Sequence, residues 1–360
     1  MSIEKVAKIA GVSHATVSRV INRQPGVSAE RAEMVREVMN RLAYTPKPRS
    51  KRTGPAPRTT DGARRPRTLD MFALIAPELD RGLYPALQRG FSDASAERGL
   101  QVIASHTDND VYKQADLIIQ LIDKGIAGVA LVPASQGISP AHHVRHLQQQ
   151  GIPVVLLHRP VAGVNAPLIT LPAEQIGRKA GERIVKAGHK RVAFLSTQRS
   201  GVAEQYEHGF RQALEAAGVT LPDAWVDYAR VDATTAAAYE DYRSHAAQVL
   251  KGFLSGPEAP TAVFSSVESA AEILYLEALR MGLSVPSDLS IVTVGGTQRT
   301  SAISQCLTAV VVDEARAGHD AARLLDEMVN GQRPHDDIES FPATIAFDEG
   351  ETLGPPPSKQ

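Results

Sequence analysis

The sequence is short of cysteine: its single thiol, Cys306, has no partner for a disulfide within the 360 residues. Such usage suits a reducing compartment. Long apolar runs are missing as well. Nothing approaches the roughly 18 consecutive apolar residues of a membrane-spanning helix, and Met1-Ser2-Ile3-Glu4 lacks the basic end and apolar stretch of a secretion signal. A cytoplasmic protein is therefore expected. Signatures of catalysis are equally scarce. There is no glycine-rich phosphate loop, no nucleophile elbow and no zinc-type cysteine pair, and no signature surrounds Cys306. Neither an enzyme nor a cofactor is expected. His142, His143 and His146 place two imidazoles one helical turn apart, yet no carboxylate or cysteine in that segment completes a metal site. They read better as part of a solvated helix face.

What is present is unevenly divided. The formal net charge is only −1, but residues 1–68 hold 15 basic against 5 acidic side chains and the remainder 24 against 35. A basic N-terminal segment on an acidic body suits a protein that presents one end to nucleic acid. Length and a hydrophobic content of 43% allow one small and two medium folding units.

Val6, Ile9 and Ala10 recur at helical spacing until Gly11-Val12-Ser13 interrupts them, and Val17, Val20 and Ile21 resume the pattern. Two short helices joined by a tight turn are predicted, with Gly11 making the turn and the Ser13 hydroxyl capping the second helix. Burying the apolar residues leaves His14, Ala15, Thr16, Ser18 and Arg19 on the outer face. Small and hydrogen-bonding residues around one arginine are what a helix in a DNA major groove presents. The plainer alternative is a helical hairpin with a polar face. Ser28 then precedes a third helix, with Val35, Val38, Met39 and Leu42 as its apolar stripe.

The string Val6-Ala-Lys-Ile-Ala-Gly-Val-Ser-x-x-Thr-Val-Ser-Arg-Val-Ile-Asn22, followed by Val27-Ser28 and Leu42-x-Tyr44-x-Pro46, resembles the DNA-binding headpiece of the lactose-repressor/galactose-repressor (LacI/GalR) family. The resemblance implies a helix-turn-helix headpiece over residues 1–45. In it His14, Ala15 and Arg19 face base edges, while Ser13, Thr16, Ser18, Asn22, Ser28 and Tyr44 lie near phosphates. Residues 46–68 alternate prolines with lysines and arginines and read as a basic linker. Arg49, Lys51 and Arg52 are its candidate DNA contacts; phosphate or minor-groove contact and a solubilising tether both fit. The family's hinge helix is disfavoured here by Pro48, and Thr53 stands where its leucine would align.

From residue 69 onward the rhythm changes. Strand-like runs at 69–76, 100–105, 128–132, 154–157, 168–171, 192–196, 225–228, 262–265, 289–294 and 307–312 alternate with helical stretches. Most of those helices end at a glycine, namely Gly99, Gly125, Gly151, Gly188, Gly218, Gly282 and Gly331, each a candidate C-cap. The alternation predicts parallel sheets covered by helices on both faces, and the strand number suggests two of them. Pro153-Val-Val-x-x-x-Arg159, Gly188-His-Lys-Arg-Val-Ala-Phe194, Gly209-Phe210 and Met281-Gly-Leu-x-Val-Pro-x-Asp-Leu-Ser-Ile-Val292 resemble the same family's periplasmic-binding-protein-like effector domain. The implied fold is α/β with two subdomains, residues 69–171 with 313–337 and residues 172–312 with 338–354. Three crossovers join them, near 171–172, 311–313 and 337–341.

A ligand in such a fold lies beyond the carboxyl ends of the strands, between the subdomains. Candidate effector contacts are Tyr84, Asp108, Gln114, His158 and Arg159 from the first and Gln198, Arg199, Tyr206, Glu268 and Thr297 from the second, each equally readable as an ordinary loop residue. Sugar-binding relatives carry an arginine where Tyr206 aligns, an aspartate where Gly295-Gly296 stands and an Asp-Asn pair where Pro172-Ala173 stands. Losing such forked donors and acceptors predicts an atypical effector or none, even though carbohydrate metabolism is the process the family regulates most. The leading expectation is a DNA-binding transcriptional regulator, a repressor that acts as a homodimer on an inverted-repeat operator under a small-molecule effector. The tail Gly354–Gln360 has no heptads for a coiled-coil tetramer. The alternatives are a DNA-binding dimer without sensing and, disfavoured by the headpiece, a stand-alone solute-binding protein.

Overall fold

A strand such as Val192–Ser196 is buried at every position and therefore needs cover on both faces. The computed structural model describes residues 3–21, 26–41, 70–80, 82–135, 139–229, 236–254, 256, 258–299 and 301–358, and supplies that cover with helices. Three N-terminal helices come first: α1 (Ile3–Ile9), α2 (His14–Ile21) and α3 (Ala29–Arg41). The first alternating series is β1 (Met71–Ala76), α4 (Tyr84–Ala96), β2 (Gln101–His106), α5 (Val111–Lys124), β3 (Gly128–Leu131), α6 (Ala141–Gln149), β4 (Val154–His158) and β5 (Leu168–Thr170). The second is α7 (Ala173–Lys186), β6 (Val192–Ser196), α8 (Gly201–Ala216), β7 (Val226–Tyr228), α9 (Ala236–Leu254), β8 (Ala262–Ser265), α10 (Glu268–Arg280), β9 (Ser290–Gly296), α11 (Ala302–Cys306) and β10 (Thr308–Val312). The chain closes with α12 (Glu314–Val329), β11 (Ser340–Pro342) and β12 (Ile345–Asp348). Among the described residues no helix is long and apolar enough to cross a membrane.

Two six-stranded sheets result, ordered β11-β5-β4-β3-β1-β2 and β12-β10-β9-β8-β6-β7. In the first, β1 runs parallel to β2 and β3, and β3 to β4. In the second, β6 runs parallel to β7 and β8, and β9 to β8 and β10, while β12 is antiparallel to β10. All ten expected strands are present, and the seven glycines read as caps all take positive φ, between 69° and 98°. Two strands went unexpected. β11 and β12 are short and partly exposed, so their sequences lack an apolar run. β11 belongs to the first sheet and β12 to the second.

By contacts the described residues fall into two compact units, one within 1–77, 95–168 and 323–339, the other within 78–94, 169–322 and 340–360. Residues 78–94, expected with the first subdomain, thus group with the second unit. Glycines explain it. A Cβ at Gly90 would lie 1.9 Å from the Ala315 carbonyl oxygen and one at Gly318 2.2 Å from that of Leu87, so α4 and α12 meet backbone to backbone. The first unit buries Ala73, Ile75, Val129, Leu131, Val154 and Leu156 beneath Ile118, Val144 and Leu147. In the second unit Phe194, Phe264 and Val292 face α7 and α8, while Ala193, Val263 and Ile291 face the opposite layer with Leu250 and Leu274. The segment after β12 is held to this sheet: Ile291 N–H donates to the Thr352 carbonyl at 2.8 Å, and His189 Nε2 donates to that of Gly354 at 2.8 Å.

Helices α7 and α8 of the second unit also meet backbone to backbone. A Cβ at Gly177 would lie 2.0 Å from the Tyr206 carbonyl oxygen, and one at Gly209 1.9 Å from that of Glu174. Overpacking such a crossing forces the backbones apart. Gly209→Val should cost about 1–3 kcal/mol, read as a lower urea midpoint by circular dichroism; a wild-type midpoint would refute this packing.

Candidate nucleic-acid interface

Helix α1 ends at a turn in which Gly11 takes φ +65°, a left-handed conformation that residues with a side chain rarely adopt. Ser13 follows and caps α2: Thr16 N–H donates to its Oγ at 3.1 Å, and the two hydroxyls lie 2.9 Å apart. Ser28 caps α3 in the same way, accepting from Arg31 N–H at 3.4 Å. Val6, Ala7, Ile9, Ala10, Val17, Val35 and Val38 are buried. Ser13, His14, Ala15 and Arg19 are exposed, while Thr16 and Ser18 are half-buried. The expected reading face thus lies on one side of α2, with the Arg19 guanidinium beside Gly26, whose Cβ position would be 3.6 Å from Nη1. Asn22, Tyr44, Arg49, Lys51 and Arg52 lie outside the described residues.

The effector candidates fall into separate environments. In the first unit, Asp108 is exposed at φ 52° and bonded to Lys113 Nζ at 2.7 Å and His106 Nδ1 at 2.9 Å. The Lys113 bond, ahead of the other contributions, holds its carboxyl below the usual range. Gln114 is fully buried, its Oε1 accepting from Ala134 N–H at 2.7 Å, and it braces the loop after β3. His158 ends β4 at φ 65°, and next to it the buried Nε of Arg159 has no hydrogen-bond partner among the described residues.

In the second unit, Arg199 is exposed, pairing with Glu204 at 3.4 Å and lying 4.9 Å over the Tyr228 ring. Gln198 and Thr297 are exposed loop residues. Tyr206 is 5% exposed and sits in the aromatic core, edge-on to Phe264. Burial first, then Glu314 and Tyr84 within electrostatic range, push its hydroxyl well above the ordinary tyrosine range.

Two stretches of the chain match known domains. Residues 2–47 match the family described as bacterial regulatory proteins, lacI family, and residues 169–347 match the periplasmic binding protein-like domain. Catabolite control protein A of Priestia megaterium is 28% identical over 353 residues, spanning 96% of this chain and 98% of that protein. The regulator MalR of Streptomyces coelicolor is 26% identical, spanning 98% and 96%. The solved structure of a CelR–cellobiose complex superposes with a TM-score of 0.64 at 22% identity, covering 97% of this chain and all of that one. The chain joins a LacI-family DNA-binding domain to a periplasmic binding protein-like domain. It is a DNA-binding transcriptional regulator and not an enzyme.

Within this regulator Glu268 has a partner that its sequence context did not reveal. Arg299, its side chain 5% exposed, bonds Glu268 Oε1 at 2.9 Å, Asp348 Oδ2 at 2.9 Å and the Leu307 carbonyl at 2.5 Å. The same carboxylate fills the space beside Gly295, where a Cβ would come within 2.6 Å of Oε1. A side chain at 295 would therefore require the Glu268 carboxylate to shift. Glu268 and Arg299 stand 31 apart in sequence and no local pattern links them.

Two outcomes follow. Arg19→Ala should cost about 1–3 kcal/mol on a selected DNA site and relax base preference there, measured by fluorescence anisotropy; unchanged selectivity would remove Arg19 from base reading. Burial raises the Glu268 carboxyl to about 7 from an ordinary 4.5, with Arg299 pulling it back down. A raised folded-state value means that its stabilising contribution is present at low pH and is lost as pH climbs from 4.5 through about 7. Glu268→Gln should flatten the pH dependence of thermal melting across that window, and an unchanged profile would contradict the assignment.

Proposed function

We propose that this regulator is a cytoplasmic repressor that binds an inverted-repeat operator as a homodimer. The observation that carries this reading is the reading face of α2, where exposed His14, Ala15 and Arg19 stand on a helix fixed by the Ser13 cap. Ser13, Thr16, Ser18, Asn22, Ser28 and Tyr44 are assigned to phosphates, and Arg49, Lys51 and Arg52 to sequence-independent affinity. The functional division is residues 1–45 for DNA, 46–68 for the linker, 69–171 with 313–337 and 172–312 with 338–354 for the two subdomains. One headpiece of three short helices buries too little surface for tight specific binding, and two-fold pairing doubles the contacts.

The effector reading rests on the second unit. With Glu268 engaged by Arg299 and Tyr206 inside the core, two candidates are committed to protein partners. That supports an atypical effector, or none, over a simple hexose gripped by forked polar groups. The cellobiose in the CelR complex keeps an oligosaccharide among the ligands to test.

Sequencing of duplexes selected by the purified protein should return a site with two-fold symmetry; an asymmetric site would refute the homodimer. Neutralising Arg49, Lys51 and Arg52 together should weaken binding to all DNA and flatten its salt dependence, leaving base preference intact. Calorimetry with monosaccharides, cellobiose, nucleobases and amino acids tests the effector. Binding of an unmodified monosaccharide at micromolar concentration that survives Glu268→Ala and Tyr206→Ala would refute the atypical reading.

A further inference from the structure

The headpiece does not end at its own core. Val6, Ala7, Ile9, Ala10, Val17, Val35 and Val38 form a single buried apolar cluster with Val111, Tyr112 and Ala115 of α5 and with Ala134, all within the first compact unit. Polar contacts frame this cluster. Lys5 Nζ meets Asp116 Oδ1 at 2.8 Å, and Arg41 pairs with Asp110 while its guanidinium lies 5.0 Å over the Tyr112 ring. From α6, buried His143 donates through Nε2 to the Ile9 carbonyl at 3.3 Å, at the end of α1 where carbonyls lack helical partners. The His142 ring packs where a Cβ at Gly11 would stand, 3.1 Å away. The α6 histidines, expected on a solvated face, therefore include one that the headpiece covers, with 3% exposure. Burial lowers His143 to about 4, against an opposing pull from the Ile9 carbonyl.

We propose that α5 and α6 form a docking surface for the DNA-binding headpiece of the same chain, which the headpiece must leave to seat on DNA. The inference rests on the headpiece being a DNA-binding module. Its additional content is competition for the same cations. Lys5 and Arg41 are engaged by Asp110 and Asp116, so the body's carboxylates stand where DNA phosphates would be their alternative partners. A phosphate backbone brought to a docked headpiece would meet those carboxylates and Asp123 of α5 and be repelled, so duplex and body exclude each other at this face. The contact itself is mainly apolar, since partly exposed ion pairs contribute little; charge sets what displaces it. The reading face stays exposed throughout, so docking leaves base recognition open for the first encounter and removes phosphate contacts.

The test uses the full chain with Cys306→Ser and spin labels at Glu30→Cys on α3 and Lys124→Cys on α5, both exposed positions. Double electron–electron resonance on labelled chain diluted into excess unlabelled chain should give one narrow distance distribution. Tyr112→Lys with Asp116→Lys should reduce the docked fraction about fivefold or more. Lys5→Glu with Asp116→Lys swaps the ion pair and should keep the narrow distribution, so a loss in the first variant is not misfolding of α5. Saturating duplex DNA should abolish the docked distance. A broad distribution in the unmutated protein, a docked distance that vanishes on dilution, or one that persists on bound DNA would each overturn the proposal. Binding of DNA in the anisotropy assay proceeds in all three cases, so the headpiece's DNA-binding role is judged separately.

Discussion

Burial of parallel strands on both faces is the constraint from which the body of this regulator follows. A strand such as β6 sends Phe194 to one side and Ala193 and Leu195 to the other, and each side must be dry. Helices provide the cover, and the space above a sheet is limited, so neighbouring helices are pressed together. At Gly177 and Gly209 the pressure is relieved only by leaving out side chains, and α7 and α8 touch through their main chains. The same device joins α4 to α12 at Gly90 and Gly318. Tyr206 is caught in this arrangement: its carbonyl faces Gly177, and its ring has been drawn into the core against Phe264. The loops at the carboxyl ends of the strands inherit their positions from this packing and are free to vary in chemistry.

Most of the architecture was legible because the body repeats one local rule many times. Each strand carries its own apolar run and most of the helices their own glycine cap, so the ten strands could be found one by one. The headpiece was legible for a similar reason, since turn, cap and apolar stripe all lie within a few residues. What could not be read depends on partners far apart in sequence. Glu268 and Arg299 meet across 31 residues, and nothing in either neighbourhood announces the other. His143 meets Ile9 across 134 residues, so a helix that looks amphipathic and wet is covered by a distant segment. β12 escaped because it is an edge: it pairs with β10 through its main chain, and only alternate side chains are partly covered.

The two ends of the molecule differ in how their polar groups are used. On α2 the recognition residues are exposed and held by a cap, ready for a partner that brings acceptors and donors of its own. In the second unit the acidic and guanidinium groups nearest the strand ends already satisfy one another: Arg299 takes Glu268, Asp348 and the Leu307 carbonyl together. A ligand entering there would have to replace bonds that are already made.

The interleaving of the sheets sets an order on synthesis. The first sheet is not complete until β11, near residue 340, has been made, although its other strands lie before residue 171. The second sheet waits longer still, because β12 and the stretch that Ile291 and His189 hold in place come later. A ribosome releasing the chain therefore exposes the headpiece helices first and, until the last residues emerge, two sheets that each lack one edge strand. Those edge strands are added only in the last few seconds of elongation at about 5–20 residues per second.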